Sequence, residues 1–506
     1  MKADSTIALL STSNLQFFAD SLRQELKRSE WDSRVWASDF NQYRQEILNP
    51  ASQLYEKKPE VVILQLDGDD LFMNVLRNPL SGHIDSASAA QRAADELEGY
   101  IVTLRERLPA AMVILHTVLL PPIHALTGLE YHSSYGVSTI PSLFNGHIGQ
   151  ISRKYPNILV HDTAALAADL GYSRWFDPRL WYLARCRLSR EAMKALAQST
   201  VALLRGWKGQ IRKVIALDLD NTLWGGVIGE DGPEGISLGE EGIGLAFAEF
   251  QDELLNLMRK GILLTLCSKN NEEDALLVMR QHPSMHLKED HFAARRVNWQ
   301  DKAANLRELA EELNLGLDSF IFIDDNPAER VLVRSELREV LVPEWPQDPA
   351  QYKTSLLELA RQHLLKISLT DEDRARTSLY RVEGERRSLL ESAGGNLENY
   401  YRSLEMVARI GHADSFTIPR IAQLTQKTNQ FNLTTRRYSE ADIRSLSASP
   451  DALVLWLGLS DRFADNGIVG VLILRRISAA EWSIDSFLLS CRVIGRTVEN
   501  AFVGYA

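Results

Sequence analysis

Short apolar runs bounded by polar residues recur along the first two thirds of this chain, with helical spacing between them. This alternation constrains the fold more than any other feature. In the first 205 residues the runs are TIALLS (6–11), VVILQL (61–66), MVILHTV (112–118) and ILVHD (158–162). Runs of this kind read as parallel strands buried on both faces. Between the second and third, residues 88–108 place apolar side chains at helical spacing. Residues 1–205 are therefore expected to form a doubly wound α/β domain. The basic, Gly-bearing stretch RGWKGQIRK (205–213) ends it.

A second α/β set follows, with expected strands at VIALDL (214–219), ILLTLC (262–267), FIFID (320–324) and EVLVP (339–343) and helices over 245–260 and 301–314. Three prolines in VPEWPQDPAQ (342–351) close it, which gives a central parallel-sheet domain over 212–345. Residues 346–403 read as a charged helical connector. From 404 to 506 the runs SLEMVARI, ALVLWLGL, IVGVLILRR and WSIDSFLL are longer and alternate, as in an antiparallel sheet with a few helices. Several domains suit a chain of 506 residues, too long for one ordinary core.

Composition narrows the functional classes. A net charge of -11 argues against sequence-independent binding of nucleic acid. No apolar stretch approaches the ~20 residues of a membrane helix. The opening MKADSTIALLSTSN has too short an apolar run for a signal peptide. Three widely spaced cysteines, Cys186, Cys267 and Cys491, fit a reducing compartment and exclude a Cys-rich zinc site. A cytoplasmic location is expected.

The run KVIALDLDNTLWGG (213–226) ends a strand on Asp218 and Asp220. Ligands of open α/β sheets bind at such carboxyl ends. An Asx turn built on Asn221 would explain the pair equally well if it stood alone. It does not. CSKNN (267–271) places Ser268 after the next strand, NWQDKAANL (298–306) offers Lys302 in a first helical turn, and FIFIDDNPAER (320–330) ends a strand on Asp324 and Asp325. Hard oxygen ligands clustered in this way suit Mg²⁺ together with phosphate oxygens. A lysine and a serine hydroxyl suit the remaining phosphate charge. Lys269 and Asn270 read equally well as a solvated loop.

This ordered set resembles the haloacid dehalogenase (HAD) phosphotransferase superfamily over about 212–345. The resemblance implies Asp218 as nucleophile, Asp220 as general acid and base, and Ser268 and Lys302 on the phosphoryl oxygens. Asp324 and Asp325, with Asp218 and the backbone carbonyl of Asp220, would hold Mg²⁺. The short Gly-rich WGGVIGEDGPEGISLG leaves little room for a large cap.

DLDNTLWGGVIGEDG, CSKNNEEDA, NWQDKAANL and FIDDNPAER are similar to the FkbH-like branch of capless HAD proteins (subfamily IIIC). So are QLTQKTNQFNLTTRRYSEADI (423–443), DRFADNGIVG (461–470) and LLSCRVIGRTVENAF (488–502). That family implies dephosphorylation of 1,3-bisphosphoglycerate and loading of the glyceryl unit as a thioester onto an acyl carrier protein, in polyketide-type biosynthesis. A thiol acceptor is then expected. Cys491, beside Arg492, is preferred over Cys267, which ends an apolar strand where thiols are commonly inert. The C-terminal region resembles the GNAT acyltransferase fold, with RVIGRT (492–497) near that fold's pyrophosphate loop but ending on Thr497. Asn429, Asn432, Arg436, Arg437, Arg462, Asn466 and Arg492 are candidates for binding substrate or the phosphopantetheine arm of the carrier.

The N-terminal third resembles an SGNH (GDSL-like) hydrolase domain. STSN (11–14) stands at the first-strand position without Gly-Asp-Ser, and Asp177 in FDPRLWYLAR (176–185) is followed three residues on by Leu180 rather than His. Without that base the domain is expected to be catalytically silent. His116 and His161 lie in apolar strands and read as core histidines. Two alternatives stand beside the lead: a Mg²⁺-dependent phosphatase of a small phosphorylated metabolite, and a non-enzymatic scaffold that binds a carrier protein.

Overall fold

The computed structural model describes all residues except 1–4, 78–84, 121–135, 375, 383–385, 387–396, 428–430, 479–480 and 491–492. The chain divides into two compact units, Met1–Leu204 and Arg205–Ala506.

The first unit holds a five-stranded sheet of β1 (Thr6–Ser11), β2 (Arg34–Ala37), β3 (Val61–Gln65), β4 (Met112–His116) and β5 (Ile158–His161). Its order is β2-β1-β3-β4-β5 and every pair is parallel. β3 and β4 are buried at every residue, as their unbroken apolar runs require. β2, RVWA, is an edge strand too short and too polar to stand out in the sequence. The helix Ser86–Arg107 starts on Asp85, whose side chain accepts from the Ser88 amide at 2.7 Å. It buries Ala90, Ala94, Leu97, Ile101 and Leu104 along one stripe and closes on Arg105 and Arg107, which complement its dipole.

His116 and His161 are register partners at the ends of β4 and β5, with rings edge to face at 4.9 Å. Burial holds His116 well below the usual histidine range and His161 down at about 4. Both stay neutral when folded, whereas the unfolded chain takes up protons below about pH 6.5. The stability they confer is complete above that pH and is lost as pH falls toward 4, by about 1.4 kcal/mol per pH unit for each ring. Asp67, raised by burial to about 6, opposes this below that pH, as does Asp69, which burial also raises. The first unit is therefore expected to lose stability between pH 6.5 and 5. Urea unfolding at a series of pH values checks this, and a His116→Leu variant should flatten the slope.

The second unit contains a parallel sheet of β6 (Val214–Leu217), β7 (Leu263–Ser268), β8 (Phe292–Val297) and β9 (Phe320–Ile323), in the order β8-β7-β6-β9. Two expectations are corrected here. FAARRV forms β8, its two arginines concealing an edge strand; Arg296 pairs with Glu308 at 2.7 Å and Glu312 at 2.6 Å on the helix Lys302–Glu312. EVLVP forms no strand. Leu341 makes a single bridge to Ile321, and Pro343 follows with no amide to extend a ladder. Trp345 instead packs into an aromatic cluster with Phe250 and Tyr352.

A further sheet of the same unit, β10 (Val407–His412), β11 (Ala452–Ser460), β12 (Asp465–Arg476) and β13 (Trp482–Leu489), is antiparallel throughout. The α/β class with parallel sheets thus holds for the protein. Among the described residues no helix is long and apolar enough to cross a membrane.

Candidate active site

Strand register builds the site. Leu217 of β6 pairs with Ile323 of β9, so the next residues, Asp218 and Asp324, leave adjacent parallel strands at the same level. The Asp218 amide still bonds to the Ile323 carbonyl at 3.0 Å. On the other side Leu217 pairs with Leu266, which places Cys267 and then Ser268 at the end of β7. Ser268 is 2% exposed.

Lys302 reaches this point from the first turn of its helix, whose N-cap Asp301 accepts from the Ala304 amide at 3.0 Å. Its ammonium lies 3.1 Å from Asp218 and 2.5 Å from Asp324. Burial disfavours that charge, but the two carboxylates outweigh it and hold the lysine above its ordinary range. One oxygen each from Asp218, Asp324 and Asp325 lie within 4.8 Å of one another. Burial and then the Asp218 charge raise both neighbours, Asp325 to about 6. Three carboxylates against one ammonium leave a deficit of two positive charges. The set therefore fits a divalent cation with oxygen ligands.

The chain after Asp218 turns sharply. Asn221 takes the left-handed conformation, φ 51°, which asparagine tolerates, and its side chain accepts from the Gly226 amide at 2.9 Å. Gly226 has φ 98°, and a Cβ at Gly225 would stand 2.9 Å from the Phe247 ring. The two glycines let the chain fold back, with Gly225 and Ser237 exchanging backbone bonds at 3.1 and 2.7 Å. That turn delivers Trp224, fully buried, onto Asp220. Asp220 accepts from the Trp224 indole at 2.9 Å, the Ile228 amide at 3.1 Å and the Asn270 side chain at 2.8 Å. Burial raises this carboxyl above its usual range, and the three donors moderate the rise. A carboxyl held so, two residues beyond the nucleophile position, is placed to exchange a proton with a group bound at Asp218.

Asn270 is thus not a solvated loop residue: it is 5% exposed and fixes Asp220. Arg330, 6% exposed, donates to the carbonyls of Asp324 and Asp325, both at 2.7 Å, and sets the loop that carries them. The Asn270 contact is not visible as spacing, because its partner leaves a different strand, whereas Arg330 lies in the same run as the carbonyls it binds. Lys269 pairs with Glu329 at 2.7 Å.

Cys267 is fully buried, with its thiol against the Lys302 carbonyl at 3.6 Å and pushed up by burial. Cys186 is likewise pushed up, to about 11. Cys491, Arg492 and Asn429 lie outside the described residues. The remaining C-terminal candidates have local roles. Arg436 and Arg475 pair with buried Asp485, Asn432 accepts from the Thr435 amide at 3.0 Å, and Arg437 donates to the carbonyls of Thr425 and Gln426. Arg462 lies over the Phe463 ring at 4.7 Å. Asn466, 2% exposed, keeps both side-chain polar atoms without a hydrogen-bond partner among the described residues.

Residues 6–205 match the family model "FkbH, N-terminal domain". The chain is 31% identical to the N-terminal part of protein BF1531 from Bacteroides fragilis, described as containing a phosphatase domain and solved in complex with Mg. The match covers 72% of this chain and 95% of that one, with a TM-score of 0.66. The chain belongs to the FkbH-like family. Two weaker likenesses, each 12% identical, are to a GDSL-like lipase candidate of Parabacteroides merdae and to the salicylyl-acyltransferase SsfX3 of a tetracycline pathway. They cover 38% and 40% of this chain, and 92% and 55% of those proteins. Their TM-scores, 0.26 and 0.27, are too low to bear on fold or function. Among curated proteins none matches the chain. Membership thus rests on the first 205 residues and on the similarity to BF1531, and the site stands in the second unit.

Proposed function

We propose that this FkbH-like protein is a Mg²⁺-dependent phosphatase working through an aspartyl phosphate. The observation that carries this reading is the cluster of Asp218, Asp324 and Asp325 around buried Lys302, with Asp220 fixed beside it by three donors. An Asp218 oxygen attacks phosphorus, the bond to the leaving oxygen breaks, and Asp220 protonates that oxygen. Asp220 then takes a proton from the water that attacks the aspartyl phosphate, which releases phosphate and regenerates Asp218. Lys302 and Ser268 steady the phosphoryl oxygens. Asp218, Asp324 and Asp325, with the Asp220 carbonyl, would hold Mg²⁺, which supplies charge neutralisation at those oxygens.

The finer reading is glyceryl transfer. The 1-phosphate of 1,3-bisphosphoglycerate is an acyl phosphate, so a thiolate can attack its carbon and expel phosphate directly. The 3-phosphate is an ester and needs the Asp218 site. The buried, raised thiol of Cys267 makes a poor acceptor, which leaves Cys491 or the phosphopantetheine thiol of an acyl carrier protein. Family membership supports this step, with the GNAT-like C-terminal region and the SGNH-like N-terminal unit as binding modules.

Incubation with 1,3-bisphosphoglycerate, Mg²⁺ and candidate carrier proteins, read by intact mass, separates the readings. A glyceryl adduct on enzyme or carrier is expected. Phosphate release with no adduct would leave the phosphatase alone, and neither would reject both. Asn270→Ala should lower kcat by about 10–100-fold, the cost of removing a hydrogen bond to a charged group, with KM little changed. Steady-state kinetics checks it. A rise in KM of that size with kcat unchanged would make Asn270 a substrate contact instead.

A further inference from the structure

The antiparallel sheet β10-β11-β12-β13 carries a charged cluster in which the mechanism above has no part. On β13, Ile484 pairs with Leu474 of β12 and Ser486 pairs with Ile473, so Asp485 is an extra residue between two ladder pairs. Such a bulge re-aims the side chain it carries. The Asp485 carboxylate is 4% exposed and accepts from three donors. Arg475 of β12 donates through Nε at 2.9 Å, Arg436 donates through Nη1 to the same oxygen, and the Tyr438 hydroxyl donates to the other.

The loop that brings Arg436 is fastened to β13 residue by residue. Asn432 bridges Leu488, the Leu433 amide donates to the Phe487 carbonyl at 3.1 Å, and the Thr434 and Ser486 hydroxyls lie 3.0 Å apart. Thr435 then takes the left-handed conformation, φ 53°, which a β-branched side chain rarely adopts. The Asn432 side chain holds its amide there at 3.0 Å. Strain kept in place by surrounding bonds is characteristic of ligand clamps, and the side chain presented next is Arg436.

One guanidinium and the phenol would satisfy Asp485, so the second guanidinium is surplus. Among the described residues no other carboxylate pairs with Arg436 or Arg475. The cluster keeps one net positive charge in a chain whose total is -11. The two side chains are 57% and 48% exposed, and each spends one nitrogen on Asp485. The other N–H groups of these planar forks are left for an anion. We propose that Arg436 and Arg475, oriented by Asp485 and Tyr438, bind a phosphate group, whose oxygens match two guanidinium forks. Its source is a free phosphorylated metabolite or the phosphopantetheine arm of a carrier protein. This stands whether or not Asp218 transfers phosphate.

Titration calorimetry of the full chain without Mg²⁺, at constant ionic strength, tests it with 3-phosphoglycerate, phosphopantetheine and glycerate. Binding of at least one phosphate probe and none of glycerate is expected. Binding of 3-phosphoglycerate alone identifies a metabolite as the source, and of phosphopantetheine alone the carrier arm. Arg436→Gln and Arg475→Gln should each weaken binding by about 10–100-fold, as loss of charge-assisted hydrogen bonds implies. Ser268→Ala, which alters the phosphate contacts of the Asp218 site, should leave it unchanged. No binding of either phosphate probe, equal binding of glycerate, or full binding by both arginine variants overturns the proposal. So does weakened binding in Ser268→Ala, which would put the bound phosphate at Asp218. The unaltered protein and Ser268→Ala decide between the two sites even if an arginine variant fails to fold.

Discussion

Asp218→Asn is expected to reduce phosphate release by about 10⁴-fold or more, because it removes the nucleophile rather than a contributor to binding. The amide keeps the shape of the side chain at the end of β6, so the fold should persist. It also takes one negative charge from a cluster that holds three carboxylates within 4.8 Å and a single ammonium. The variant should therefore be no less stable than the unaltered protein when Mg²⁺ is absent. Single-turnover phosphate release and urea unfolding, measured on the same preparation, check both halves. Loss of activity accompanied by unfolding would make Asp218 a structural residue and remove it from the chemistry.

Lys302→Met should fail in the opposite way. The Lys302 ammonium is buried between Asp218 and Asp324, and Asp324 is fully buried. Removing one member of a buried charged set leaves the others uncompensated and costs about 3–5 kcal/mol. Urea unfolding without metal should show that loss in the second unit. Mg²⁺ should restore part of it, since a cation that binds only the folded state stabilises that state. Turnover should fall by about 10²–10³-fold even at saturating Mg²⁺, the usual cost of losing one charged stabiliser of a transferring group. A stable Lys302→Met protein that Mg²⁺ does not stabilise further would break the link between lysine, carboxylates and metal.

How much of this was legible in the sequence follows from where each signal lies. β1, β3, β4, β6, β7 and β9 are unbroken apolar runs, because helices or loops cover both faces of a parallel sheet. β2 and β8 are edge strands of four and six residues that carry arginines, and no hydrophobic run marks them. EVLVP has the composition of a strand, but Pro343 limits it to one bridge. Asp218, Ser268, Lys302 and Asp324 were readable because each sits next to a strand or helix end. Asn270 was not, since its contact to Asp220 joins two separate turns.

The central claim is phosphoryl transfer to Asp218, and trapping the intermediate tests it most directly. The full chain is mixed with a phosphorylated substrate and Mg²⁺, quenched in acid and treated with borohydride, which reduces an aspartyl phosphate to homoserine. Peptide mass spectrometry should find homoserine at position 218 and at no other aspartate. Aspartate intact at 218, with phosphate released at the full rate, would contradict the mechanism and make water the direct attacking group.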